Sequence, residues 1–150
     1  METMRRPCAA LAPLRLPADP ASVPAARHYV LAGLSDFRAL HQPALNHPSG
    51  IDDQVLDAAA LVVSELVTNG ILHARTDLEV TLLVEAGVVR IEVADGTSTL
   101  PVPKARSEHS GTGRGLTMID AVASEWGVRI VPEGGKTVWA ELALEPARHR

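Results

Sequence analysis

LVVSELVTNGILHA, residues 61–74, reads as the core of a long helix whose apolar pattern is broken by a few polar side chains. Upstream, Val55, Leu56 and Ala59 lead into Val62, Val63, Leu66 and Val67 at helical spacing, and Asp52 and Asp53 suit the positive end of a helix dipole. The pattern predicts a helix from 51 to about 72. Glu65 and Asn69 are four residues apart, so both emerge on one side, one turn apart. The amide oxygen of Asn69 is a hard donor suited to Mg²⁺, which takes few protein ligands and fills its octahedron with phosphate and water. A carboxylate one turn away could accept a proton from an attacking hydroxyl. Taken alone, the pair reads more readily as a solvated helix edge.

Working outward, residues 78–84 and 88–93 alternate as strands, joined by Glu85-Ala86-Gly87 into a hairpin. The second strand ends at Asp95-Gly96, where the chain leaves the sheet. An ionised carboxylate there accepts hydrogen bonds only, which suits an exocyclic amine such as that of adenine, and Gly96 removes a Cβ that would block a flat base. An ordinary Asp-Gly turn is the other reading. Residues 97–112 have no period and form a long loop ending in Gly111-Thr112-Gly113-Arg114-Gly115-Leu116, which runs into a helix over 114–124. Alternate glycines before a helix N-terminus let amides converge on an anion, and Arg114 could add a charged contact to phosphate; a flexible linker has the same composition. The strand that dinucleotide fingerprints require before the loop is missing, as is the Gly-Lys-Ser/Thr of a P-loop.

Toward the N-terminus, Ser22 is the expected cap of a helix over 25–40, and Leu14-Arg15-Leu16 suits a short strand. Toward the C-terminus, 128–131 and 137–144 pair across Pro132-Glu133-Gly134-Gly135, with Trp126 and Trp139 as core or rim hydrophobes. Residues 1–10 and 146–150 are read as flexible tails around one domain over 11–145. Helices interleaved with antiparallel runs predict an α+β, two-layer α/β sandwich: one mixed, mostly antiparallel sheet covered on one face by about three helices.

The net charge of −4, with twelve Arg and two Lys scattered among eighteen acids, offers no basic stripe for nucleic acid, and 3% aromatic residues leave no stacking platform. Cys8 is the single cysteine, so an internal disulfide is excluded. Pro7, Pro13 and Pro17 interrupt the weakly apolar N-terminal stretch, so no signal-peptide core is predicted, and a cytoplasmic protein is expected.

The ordered set of Glu65/Asn69, Asp95-Gly96 and the glycine loop resembles the GHKL ATPase superfamily of gyrase, sensor histidine kinases and MutL-type repair proteins. More closely, it looks like the short anti-sigma-factor serine/threonine kinases and their single-domain relatives in high-GC bacteria. LVVSELVTNGILHA is similar to the N box, VADGTSTLP (93–101) to the first glycine box, GTGRGLTMIDAVASEWGV (111–128) to the second, and GKTVWAEL (135–142) to the closing hairpin. The resemblance implies the Bergerat ATP-binding fold, with ATP and Mg²⁺ as cofactors. It implies Glu65 as catalytic base, Asn69 as Mg²⁺ ligand and Asp95, with Gly96, at the adenine. Gly111, Gly113, Arg114, Gly115 and Leu116 would line the phosphates, and Thr137 would contact the base edge through water. A sigma factor and/or a STAS-domain anti-sigma antagonist are the implied partners, with a homodimer as the implied assembly. A non-catalytic, nucleotide-gated binding module is the alternative. Gly70 stands where Ala is usual, and Asp95-Gly96-Thr97-Ser98 replaces the usual Asp-x-Gly-x-Gly. His28 has no adjacent acid and no dimerising helical pair is evident, so a complete sensor histidine kinase is not expected.

Overall fold

The computed structural model describes residues 9–40, 50–85, 87–97 and 113–144, the side chains of Ala9 and of 113–116 excepted. Strands β1 (Ala9–Ala10), β2 (Leu14–Leu16), β3 (Leu78–Glu85), β4 (Val88–Asp95), β5 (Glu125–Ile130) and β6 (Lys136–Ala143) form one sheet, and helices α1 (Ser22–Leu40), α2 (Asp53–His73) and α3 (Gly113–Val122) complete the fold. The sheet order is β1-β3-β4-β6-β5, with β2 also on β3. Every pairing among the described strands is antiparallel, so none of the expected mixed character appears there.

Alternation divides the sheet into two faces. Leu78, Val80, Leu82 and Val84 of β3, Val89, Ile91 and Val93 of β4, and Ala140 and Leu142 of β6 are buried and form one core with the helices. Helix α2 supplies Ala59, Val62, Val63, Leu66 and Val67 to that core, and α1 supplies Ala26, Val30 and Leu34. A Cβ on Gly70 would meet Leu78 Cδ2 at 2.8 Å, so this glycine lets α2 lie close against β3. Helix α2 is apolar enough to span a bilayer by length and composition, with mean hydropathy 1.6. Its apolar side chains are instead packed into the core shared with the sheet.

Of the two acids expected in the first turn of the long helix, Asp53 is there, while Asp52 is the N-cap just outside it, its Oδ1 accepting from Val55 N–H at 2.9 Å. It ends in Arg75 at φ 56°, a left-handed residue that reverses the chain toward β3. Helix α1 departs from expectation. Ser22 is already helical and its hydroxyl donates to the Pro17 carbonyl, while Asp19 Oδ1 accepts from Ala21 N–H at 2.7 Å. Asp19 thus satisfies an amide just ahead of the helix, and the serine hydroxyl is spent on the preceding turn instead of capping the first turn. Ala9–Ala10, assigned to the N-terminal tail, pair with Val84 and Leu83 through backbone alone, which leaves no side-chain period to read. Residues 1–8 and 145–150 of the expected tails, and 98–112 of the expected loop, lie outside the described residues.

Candidate functional site

Strand β4 carries Asp95 out of the sheet directly opposite Lys136 of β6. Lys136 Nζ donates to Asp95 Oδ2 at 2.9 Å and to Oδ1 at 3.1 Å, and both side chains are 3% exposed. Thr97 N–H donates to Asp95 Oδ1 at 2.9 Å, and Lys136 Nζ lies 3.5 Å from the Thr97 carbonyl. Gly135, at φ 101°, backs this arrangement: a Cβ there would collide with the Asp95 carbonyl oxygen. The carboxylate is thus fixed by one backbone amide and one ammonium, with accepting capacity left on Oδ2.

Facing it, α2 contributes Leu66, Asn69, Gly70 and His73, whose spacing places them on one helical face. With Val93, Asp95, Lys136 and Val138 they enclose a cavity of about 20 Å³, room for roughly one water. Asn69 and Asp95, separate in sequence, therefore come together on a single cavity. Glu65 lies one turn before Asn69 and is half-buried, outside that lining. Gly96 is on the far side of Asp95, where its N–H donates to Thr76 Oγ1 at 2.8 Å and it lines a separate open cleft. Gly113, Arg114, Gly115 and Leu116 form the first turn of α3, and Gly111 lies outside the described residues.

Thr137 is not where the resemblance implies. Lys136, Val138 and Ala140 share the helix-facing side of β6, which places Thr137 with Trp139 and Glu141 on the opposite side. The register is confirmed from β5, where Trp126, paired to Ala140, donates its indole N–H to Asp120 of α3. Lys136 takes the place beside Asp95. The parity of β6 could have revealed this from sequence, because Val138, Ala140 and Leu142 are the apolar set and Lys136 shares their parity. His73, in the last turn of α2, lines the cavity as well.

A family model described as "Histidine kinase-like ATPase domain" matches residues 16–142. The chain belongs to the histidine kinase-like ATPase domain family. The match spans β2 to β6 and includes every cavity residue. Among curated proteins, no match is found. Membership makes this an ATP-binding type of domain, and the α+β architecture of three helices against an antiparallel sheet agrees with it.

The donor set also bears on the metal. Among the described residues no three His, Cys, Asp or Glu side chains cluster to hold an ion. The amide oxygen of Asn69 is a hard donor whose chemistry fits Mg²⁺, an ion that takes few protein ligands and would fill its remaining positions with phosphate and water.

Proposed function

We propose that this chain is a cytoplasmic Mg-ATP-binding regulatory protein that phosphorylates a serine or threonine of a STAS-type anti-sigma antagonist, sequesters a sigma factor, or does both, acting as a homodimer. The convergence of Asn69 and Asp95 on one cavity, within a histidine kinase-like ATPase domain, is the observation that supports it most. In this reading Asp95 accepts from the exocyclic amine of adenine. Asn69 holds Mg²⁺ through its amide oxygen, and the metal supplies charge neutralisation at the phosphates. The backbone of Gly111 to Gly115 and the start of α3 face those phosphates, with Arg114 adding charge. Glu65, one turn from Asn69, takes the proton of the acceptor hydroxyl as phosphoryl transfer proceeds.

Incubation with labelled ATP and candidate antagonists tests the kinase role: phosphoserine or phosphothreonine is expected on one of them. Glu65→Gln should abolish transfer and leave ATP affinity unchanged. Binding without transfer to any antagonist would rule out the kinase and leave the second reading, a nucleotide-gated binding module. The small volume of the cavity, about 20 Å³ among the described residues, favours that reading, because a base needs more room than it offers. Gating predicts that nucleotide alters protease cleavage within 97–112, and unchanged cleavage counts against it.

A further inference from the structure

Asp95 has a place at the adenine in the reading above and Lys136 has none, yet the two form a buried ion pair that lines the cavity. A buried pair is expensive to desolvate and is strongly disfavoured when one partner is pulled away, so a ligand that broke it would leave two uncompensated charges. A ligand that uses it intact meets no such cost. The geometry allows this. Lys136 contacts both carboxylate oxygens of Asp95, and Oδ1 also accepts from Thr97 N–H. Lys136 has three N–H donors, and among the described residues it lies beyond the carboxylate only against the Thr97 carbonyl, at a long 3.5 Å. Toward the cavity, the pair therefore offers an acceptor and a donor side by side.

That pairing suits the Watson–Crick edge of adenine, and guanine could use it only with its edge reversed, N1–H toward the carboxylate and O6 toward the ammonium. Adenine presents an N6–H donor next to the N1 acceptor, so N6–H can meet Asp95 Oδ2 while N1 meets Lys136 Nζ. We propose that Lys136 is a specificity-determining residue of the nucleotide site, donating directly to N1 of adenine while remaining paired to Asp95. It does the work that the resemblance assigned to Thr137, whose side chain lies on the other face of the sheet. The bound base slides between Leu66 and Gly70 of α2 and Val93 and Val138 of the sheet, with the ion pair at its Watson–Crick edge. This rests on the ATP reading above.

The test compares calorimetric titrations of the full chain with Mg-ATP and with Mg-1-deaza-ATP, in which C–H replaces N1, for the wild type and for Lys136→Met. A charge-assisted hydrogen bond lost from a desolvated site should weaken the wild type's affinity for the deaza nucleotide by about tenfold or more. In Lys136→Met the two nucleotides should bind alike, with ATP weaker than in the wild type. Equal affinity of the wild type for both nucleotides overturns the role of Lys136 and leaves ATP binding standing. Tighter ATP binding by Lys136→Met overturns it too, because the lysine would then be a plug that the base displaces. Failure of the wild type to bind ATP at all sinks the nucleotide reading with it. The wild-type comparison needs no variant, so equal affinity overturns the role of Lys136 even if Lys136→Met does not fold.

Discussion

Two buried ion-pair clusters stand on the same central strands, β4 and β6, and face opposite sides of the sheet. On the side away from the helices, Arg90 Nε donates to Glu92 Oε2 at 2.6 Å and Nη1 donates to Glu141 Oε2 at 3.3 Å. Its guanidinium lies 4.2 Å over the Trp139 ring, and Arg129 adds a second cation 3.7 Å from Glu92. The fork of Arg90 is engaged by acids and by an aromatic face, leaving little capacity for anything else. On the helix side, Lys136 and Asp95 form a simpler pair with a donor and an acceptor still available, and they line a cavity. A charge cluster that satisfies itself is architecture, and one with spare valence beside a cavity is a site.

Four substitutions break or sharpen this contrast. Arg90→Ala strips two carboxylates of their central partner and should cost about 3–5 kcal/mol in urea unfolding, with the folded fraction retaining its ATP affinity. Loss of ATP binding at full stability would mean that the outer cluster is part of the site. Asn69→Ala should do the reverse, lowering Mg-ATP affinity by about tenfold or more and leaving unfolding free energy within about 1 kcal/mol of the wild type. Asp52→Ala removes the cap that accepts from Val55 and should cost about 1 kcal/mol at the start of α2, read by thermal denaturation. Asp77→Ala should cost less than about 1 kcal/mol, because Asp77 and its partner Arg15 are 63% and 77% exposed.

How much of this was legible in the sequence depended on whether a residue belonged to a repeating pattern. The acidic start of α2, its apolar face and the hairpin from Leu78 to Asp95 all follow from period and turn chemistry, and their observed bounds lie within a few residues of the expected ones. Asn69 and Asp95 were identifiable as chemistry out of pattern. Their meeting on one cavity was not, since it depends on how α2 crosses the sheet at Gly70. Lys136 was missed because a resemblance drew attention to its neighbour, although the parity of Val138, Ala140 and Leu142 argues for the lysine. The strand at Ala9–Ala10 is set by tertiary backbone pairing that leaves no trace in spacing, whereas the Asp19 contact is a local turn bond two residues long that the cap assignment to Ser22 overlooked.

The most direct test of the central claim is a Mg-ATP titration of the wild type beside Asp95→Ala. The cavity as described predicts saturable binding by the wild type and a loss of affinity of about tenfold or more in the variant, where the base loses its buried acceptor. Equal binding by the two proteins would contradict it, because the nucleotide would then sit somewhere other than at Asp95.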